Sequence, residues 1–200
     1  MSTLAPERRE QLHRRGLHLE YATLGWNVVE IGFLIAAAVS ASSVALAGFA
    51  LDSFIEIFAS IVVVRQLKGV QSPHGDQRAL RSIGIAFFLL ALYIVIQAAV
   101  TLAVGIRPDT SRLGIAWLAA TCVVMFGLAA AKARTGRELG NPVLSAEAKV
   151  TVVDGALAAA ILVGLVLNAA FGWWWADIAA GAILVVYGLR EGREHLRQAG

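Results

Sequence analysis

Two acidic residues interrupt an apolar run of 20 residues, positions 45–64. Asp52 and Glu56 stand four positions apart in this run, and residues at that spacing lie on one face of an α-helix. At about 1.5 Å per residue the run can cross the roughly 30 Å hydrocarbon core of a bilayer, so it predicts a membrane-spanning helix. An ionisable side chain near the centre of such a helix costs about 2.5–3.5 kcal/mol on insertion scales. Two carboxylates on one face therefore predict a cation site.

A different interpretation of Asp52 stays open at this point. Asp52 could be the N-cap of a helix that begins at Ser53. Such a helix would reach only to Arg65 and would be too short to span a bilayer. Glu56 would still lie one turn inside that helix.

The rest of the chain predicts an all-α, polytopic membrane protein. The sequence has 58% hydrophobic and 16% charged residues, against roughly half and a quarter in soluble proteins. Its apolar segments predict a six-transmembrane-helix bundle over residues 19–200, after a basic leader at 1–18 and without a second, soluble domain. The expected spans are residues 19–40, 45–64, 82–104, 113–133, 145–171 and 176–190, with hydrophilic loops at 69–81 and 134–142.

Lys and Arg residues are distributed asymmetrically about these spans. Six spans place both termini on the same side, and 15 of the 17 Lys and Arg residues lie on that side. The other side holds Arg107 and Arg112. The positive-inside rule therefore predicts that both termini are cytoplasmic, in a multi-pass protein of the cell membrane. This topology accounts for the net charge of +3, so the bilayer is the expected partner and nucleic acid is not.

The fifth predicted span carries a second acidic pair. Glu147 and Asp154 are seven positions apart with Thr151 between them, so all three share one helix face. Asp154 lies about 14 Å from the start of the span, near the depth of Glu56, and two helices could bring carboxylates to one cation. Alternatively, the Asp-Gly dipeptide at 154–155 is a turn signal, and the apolar residues after it are just numerous enough to span. Asp154 would then be a surface N-cap.

Two further polar features belong to the first and last predicted spans. The first span carries Asn27 and Glu30, and Glu30 is expected to face the bundle because lipid exposure would be costly. Three tryptophans at 173–175 mark a water–lipid interface, and Asp177 just after them is interpreted as a helix-start residue.

These motifs resemble those of the cation diffusion facilitators. In that family the second helix carries an Asp-x-x-x-Asp pair, which corresponds here to Asp52 and Glu56. The family's fifth helix reads Ala-Asp-Ala-Leu-His-Thr-x-Ser-Asp, and residues 146–154 read Ala-Glu-Ala-Lys-Val-Thr-Val-Val-Asp. A Gly-x-x-x-Asp-Pro-Ile motif opens the family's sixth helix, where this chain has Gly172 and then Asp177 without the proline. The resemblance covers essentially the whole chain.

The resemblance implies a usually dimeric six-helix carrier that moves divalent transition metals out of the cytoplasm in exchange for protons. It assigns three positions of an intramembrane metal site to Asp52, Glu56 and Asp154. The family's fourth ligand, a histidine, corresponds to Val150, which cannot bind a metal. The chain also stops soon after the sixth predicted span, so the family's C-terminal metal-sensing domain is not expected here.

Without the histidine, the expected site is harder than a typical zinc site. Carboxylates completed by Glu147, Thr151 or water suit Mn²⁺, Fe²⁺ or Mg²⁺ better than zinc, whose sites favour nitrogen and sulfur ligands. Zinc, manganese, iron and cobalt all stay candidates for the transported ion, and no resident cofactor is expected. Burial and neighbouring like charge generally raise carboxylate pKa values, which would let protons exchange for metal.

The predicted function is therefore an integral membrane divalent metal cation transporter, a proton-coupled antiporter that acts as a homodimer. Its predicted metal ligands are Asp52, Glu56, Asp154 and Glu147. The alternative is a non-transporting membrane interaction or regulatory protein with a degenerate transporter fold. An enzyme is not expected, because intramembrane catalysis would need a nucleophile and a base, and the predicted spans contain no histidine.

Overall fold

The chain folds into a bundle of α-helices. The computed structural model describes residues 6–68 and 73–198, and all regular secondary structure in these two ranges is helical, which confirms the predicted all-α class. The helices are α1 (Pro6–Ala41), α2 (Val44–Leu67), α3 (Pro73–Val104), α4 (Arg112–Leu139), α5 (Pro142–Phe171) and α6 (Trp175–Gln198).

The helices extend well beyond the apolar segments from which they were predicted. The predicted loop at 134–142 is wrong, because α4 continues to Leu139 and α5 begins at Pro142. The predicted loop at 69–81 is wrong from Pro73 onward, where α3 begins, while residues 69–72 lie outside the described residues. Proline is favoured at the first position of a helix, since its missing N–H has no intrahelical partner there. Residues 6–18, predicted as a leader, form the first turns of α1.

Both surface-cap interpretations of the acidic residues are wrong. α2 begins at Val44, two turns before Asp52, and α5 begins at Pro142, three turns before Asp154. The side chains of Asp52 and Asp154 are 0% and 1% exposed. Both carboxylates therefore lie in the interior of the bundle, in the middle of long helices.

The helices form a closed ring in cross-section. α1 packs on α2 and α4, α4 packs on α5, α5 on α6, α6 on α3, and α3 on α2. α2 also contacts α5 and α6, so it lies nearest the centre. The buried apolar core follows α2 and includes Leu46, Phe49, Ile94, Leu118 and Ile161.

Short connections close the two ends of the bundle. One end of the bundle holds the start of α1, the end of α2 and the α4–α5 connection. We call it the basic end, because Arg8 and Arg134 both pair with Glu138 there. The opposite end holds residues 42–43, 105–111 and 172–174. There the Asp109 N–H donates to the Ala41 carbonyl at 2.9 Å, and the Asn168 side chain donates to the Pro108 carbonyl at 2.9 Å.

The outer surface carries many apolar side chains. Large apolar side chains are exposed on every helix, among them Val28, Phe54, Leu89, Val123, Val163 and Val186. Four helical segments of the described residues are long and apolar enough to cross a membrane, namely Pro6–Ala41, Gly84–Val104, Arg112–Leu139 and Glu147–Phe171. The count of six spans and the cytoplasmic position of both termini stay predictions.

Candidate metal centre

Three buried carboxylates meet between α2 and α5. Asp52 and Glu56 come from successive turns of α2, and Asp154 comes from the middle of α5. One carboxylate oxygen from each residue lies within 4.8 Å of the other two. The structure thus brings together three of the four residues that the sequence predicted as metal ligands.

Most oxygens of this centre have no hydrogen-bond partner among the described residues. Both oxygens of Asp52, both of Asp154 and Oε1 of Glu56 are buried without one. The remaining oxygen, Oε2 of Glu56, accepts a hydrogen bond from Nδ2 of Asn27 at 3.2 Å. Buried carboxylates are strongly unfavourable unless they are neutralised or coordinate a cation. The centre therefore suits protons or a metal ion as its occupant.

The spacing of the oxygens fits a small divalent cation. Two oxygens bound to one ion at about 2.0–2.2 Å lie at most about 4.4 Å apart. One oxygen from each of the three carboxylates lies within 4.8 Å of the other two, so small side-chain rotations are enough to bring the three oxygens around one ion. Because all three candidate ligands are carboxylates, the set is hard and would favour Mn²⁺-like ions over softer ones.

A small cavity of about 20 Å³ adjoins the centre on the side of the basic end. A space of this size holds about one water molecule. Glu56, Asp154, Thr151 and Val150 contribute to its lining, together with Thr23, Ser60, Met125 and Glu147. Val150, at the position where the resemblance expects a histidine, therefore borders the cavity, and it is also 39% exposed.

Glu147, the fourth predicted ligand, lies outside the group of three carboxylates. It lines the same cavity, but its Oε1 atom is 3.5 Å from Nζ of Lys132. Its assignment as a metal ligand stays a prediction.

A polar stripe on α1 runs alongside the centre, and only part of it, Asn27 and Glu30, was noted in the sequence. Its members are Glu20, Thr23, Asn27 and Glu30, and all four are buried. The spacing of three, four and three residues places them on one helix face and was visible in the sequence. Glu20 and Thr23 lie close to the start of the span predicted for residues 19–40 and were not interpreted there.

Glu30 has a different environment from the three central carboxylates. Its oxygens accept hydrogen bonds from Ser53 Oγ at 3.1 Å, from Trp117 Nε1 at 3.2 Å and from Thr121 Oγ1. These donors come from α2 and α4, so Glu30 joins α1 to both helices. Its expected orientation towards the bundle is confirmed, and its hydrogen bonds make it a structural anchor rather than a free ligand.

Lys132 is fully buried, although it was counted among the charges on the side of the membrane that holds the termini. Its Nζ atom donates to Glu20 Oε2 at 3.1 Å and to Thr151 Oγ1 at 3.2 Å, in addition to its contact with Glu147. The predicted charge asymmetry survives without it, since 14 Lys and Arg residues still oppose two.

Asp177 also lies in the interior and is 0% exposed. It belongs to the first turn of α6, as predicted. Its carboxylate, however, accepts hydrogen bonds from the N-terminus of α2, from the Val44 N–H at 2.9 Å and the Ala45 N–H at 3.4 Å. The residue that matches the family's sixth-helix motif thus fixes the start of the helix that carries Asp52 and Glu56.

Beyond the predicted end of the sixth span, Glu191 and His195 lie one turn apart on α6. The distance from Glu191 Oε2 to His195 Nδ1 is 3.9 Å, and the His195 ring packs against Phe87 of α3. Partial burial raises the pKa of Glu191, and the neighbouring His195 acts in the opposite direction. The contact with His195 by itself favours the ionised carboxylate, so burial is the reason that the pKa of Glu191 is raised.

An all-helical bundle with an apolar surface and a buried acidic centre is typical of membrane cation transporters. Comparison with known families agrees with this class: the cation efflux transmembrane domain matches residues 79–200, which is more than half of the chain. The chain therefore belongs to the cation efflux family, and the resemblance to cation diffusion facilitators is confirmed. With its long apolar helices, it is a membrane protein of the cation transporter class. The matched residues include Asp154, whereas Asp52 and Glu56 precede them.

Proposed function

We propose that this protein carries a divalent metal cation across the cell membrane, out of the cytoplasm and in exchange for protons. The observation that supports this most strongly is the group of three buried carboxylates between α2 and α5. Five of their six oxygens have no hydrogen-bond partner among the described residues. A structural cluster would satisfy its buried oxygens, as the hydrogen bonds to Glu30 do. Oxygens without partners instead favour an exchangeable occupant.

Proton and metal compete for the same atoms in this proposal. With protons bound, the carboxyl groups are neutral and tolerate burial. Arrival of a divalent cation favours ionised carboxylates, so metal binding releases protons. Return of protons from the other side weakens the binding of the metal and lets it leave. Asn27 donates to Glu56 and would orient that ligand in both states.

The oxygen-only ligand set bears on which cation is carried. Mn²⁺ and Fe²⁺ accept carboxylate and water ligands readily, whereas zinc and cobalt gain more from an imidazole nitrogen. With valine at position 150, none of the described residues that line the cavity carries a side-chain nitrogen. We therefore expect the preference for zinc to be weaker than in a carrier that has the histidine, with manganese and iron favoured.

We further propose that the carrier is a homodimer and has no catalytic activity of its own. The exposed faces of the helices are apolar, and small residues allow helices in a membrane to approach closely. Native mass spectrometry from lipid nanodiscs should give the mass of two chains. A single-chain mass at the same protein-to-lipid ratio would contradict the dimer but would leave the metal centre untouched.

Calorimetric titration with MnCl₂ in two buffers of different ionisation enthalpy tests the site. The parent protein should bind Mn²⁺ and release protons. Asp52→Asn, Glu56→Gln and Asp154→Asn should each weaken binding by more than about 100-fold, which exceeds the effect of losing an outer-shell residue. Asp177→Asn is the matched control, because it also neutralises a buried aspartate but lies outside the centre.

Two outcomes would count against the proposal. Parent-like binding by Asp154→Asn would remove α5 from the site. Absence of metal binding by the folded parent protein would instead favour the alternative of a non-transporting regulatory protein, which the missing histidine at Val150 makes worth testing.

A further inference from the structure

The ammonium group of Lys132 lies in a cage of oxygens between three helices. Lys132 belongs to α4, Glu20 to α1, and Glu147 and Thr151 to α5. The Nζ atom is 3.1 Å from Glu20 Oε2, 3.2 Å from Thr151 Oγ1 and 3.5 Å from Glu147 Oε1. The Thr151 hydroxyl also contacts the carbonyl oxygen of Glu147 at 3.0 Å, so it can donate there and accept from Lys132.

This cage has more oxygen atoms than the ammonium group of Lys132 contacts. Oε1 of Glu20 is buried and has no hydrogen-bond partner among the described residues. When all three groups are ionised, two carboxylates face one ammonium, which leaves one negative charge uncompensated. Carboxylate and hydroxyl oxygens are also the ligands that hard divalent cations prefer.

The cage is connected to the three-carboxylate centre. Glu147 and Thr151 line the same small cavity as Glu56 and Asp154. Because α1 begins and α4 ends at the basic end, the Lys132 cage lies between that end and the centre. A cation that approaches from the basic end would meet it first.

We propose that Glu20, Glu147 and Thr151 form a second cation-binding site, whose built-in occupant is the ammonium group of Lys132. A divalent cation that approaches the centre must displace this tethered ammonium. The inference goes beyond the proposed transport site, because the second site can be tested in protein from which the first has been removed.

A tethered occupant makes the approach selective by charge. The Lys132 ammonium cannot diffuse away, so it competes at a high effective concentration. A monovalent cation carries the same charge and has no electrostatic advantage over it, whereas a divalent cation gains twice the Coulomb attraction to both carboxylates. Lys132 would therefore exclude K⁺ and Na⁺ from the centre while admitting divalent cations.

The test counts Mn²⁺ ions bound per chain, by electron paramagnetic resonance of free Mn²⁺, in the Asp52→Asn/Glu56→Gln/Asp154→Asn background. This background lacks the ligands of the first site, so failure of the proposed transport site does not affect the result. Adding Lys132→Met should create saturable binding of about one Mn²⁺ per chain. With Lys132 intact, or with Lys132→Arg, the binding should be at least about tenfold weaker, because the tethered cation competes.

A double change provides the matched control. Glu20→Gln with Lys132→Met, in the same background, removes one negative and one positive charge and leaves a single carboxylate in the cage, so Mn²⁺ binding should be lost. The parent centre can also be tested directly, since Lys132→Met in otherwise unchanged protein should raise the number of bound Mn²⁺ from about one to about two per chain.

Lys132→Met leaves both carboxylates without a counter-charge, so the metal-free variant is expected to be less stable. If it aggregates in detergent without metal, Mn²⁺ should restore a monodisperse protein, because a ligand that binds the folded state stabilises it. Glu20→Gln/Lys132→Met should show no such Mn²⁺ dependence. The proposal would be overturned if Lys132→Met neither bound Mn²⁺ nor was recovered by it, or if the variants with and without Lys132 bound Mn²⁺ equally.

Discussion

Replacing Asp177 by alanine removes the cap of the helix that carries Asp52 and Glu56. The Asp177 carboxylate accepts from the Val44 N–H at 2.9 Å and from the Ala45 N–H at 3.4 Å, and it also accepts from the Ser43 hydroxyl. Ser43 Oγ in turn accepts from the third N–H of α2, that of Leu46, at 3.1 Å. All free donors of the first turn are thus satisfied, and two of them depend on a residue of another helix.

The size of the effect follows from the groups left without partners. A buried N–H that loses its acceptor costs about 1–3 kcal/mol, and an N-cap substitution by alanine costs about 0.5–2 kcal/mol. Val44 and Ala45 would both lose their acceptor, and the favourable charge at the N-terminus of α2 would disappear as well. We expect Asp177→Ala to lower the free energy of unfolding by about 2–4 kcal/mol, or the unfolding midpoint by about 5–15 °C.

The single cysteine of the sequence supplies the assay. Cys122 is partly buried on α4, with its Sγ atom 3.8 Å from the Gly155 carbonyl of α5. A fluorogenic maleimide therefore reacts fully only when the bundle opens, and a thermal ramp in detergent gives the midpoint. Ser111→Ala is the matched control, because it removes the cap of α4 at the same end but frees one donor, the Gly114 N–H.

The comparison among three variants tests the reasoning. Ser111→Ala should cost about 1 kcal/mol, and Asp177→Asn, which keeps one carbonyl oxygen, should fall between it and Asp177→Ala. An unfolding midpoint of Asp177→Ala no lower than that of Ser111→Ala would refute the idea that the carboxylate stabilises α2. Equal unfolding midpoints for Asp177→Asn and Asp177→Ala would show that the oxygens of Asp177 do not stabilise α2.

Three other expectations follow from packing, ligand chemistry and charge. Gly84→Val should lower the free energy of unfolding by about 1–3 kcal/mol, because a Cβ there would meet a backbone oxygen of α6 at 3.0 Å. Gly25→Ala should raise the free energy of unfolding by about 0.5–1 kcal/mol, because a Cβ there meets no atom within 4 Å. The same thermal ramp measures both variants. Val150→His should shift binding from Mn²⁺ towards Zn²⁺ in competitive titrations, because it adds a nitrogen ligand to the cavity; an unchanged Zn²⁺/Mn²⁺ ratio would contradict that placement. In a Cys-free background, a cysteine introduced at position 137 should be protected from an impermeant maleimide in intact cells, whereas a cysteine introduced at position 173 should react. Labelling of position 137 from outside would contradict the six-span topology.

The acidic centre was predictable because it rests on local spacing. Two carboxylates one turn apart on α2 must share a face, and their position within a long apolar run fixes their depth. For Asp154, sequence spacing alone was compatible with both an interior residue and a helix cap. Because α5 begins at Pro142, Asp154 lies in the interior of the helix and is not a cap.

The polar extensions of the helices were not predictable from hydropathy. Residues 73–81 and 134–139 are helical but polar, and a search for apolar spans assigns such residues to loops. The prolines at the starts of α3 and α5 fall within the segments predicted as loops, although proline also favours the first turn of a helix.

The partners of charged residues could not be inferred because they depend on how the helices are aligned. Lys132 reaches Glu20, which is 112 positions away in the sequence. A shift of α4 by a few residues along α1 would place this ammonium elsewhere, and sequence spacing within one helix carries no information about that shift. The same holds for Asp177, whose expected position was confirmed while its partners on α2 were not foreseen.

Metal transport by reconstituted protein tests the central claim most directly. Proteoliposomes that contain a pH-sensitive dye, with MnCl₂ added on one side, should show Mn²⁺ movement coupled to proton movement in the opposite direction. Asp52→Asn, Glu56→Gln and Asp154→Asn should each abolish both signals, because each removes one of three carboxylates that each place one oxygen within 4.8 Å of the other two. Asp177→Asn should retain them. Mn²⁺ flux at the parent rate in any of the three site variants, or flux with no accompanying proton movement, would contradict the account.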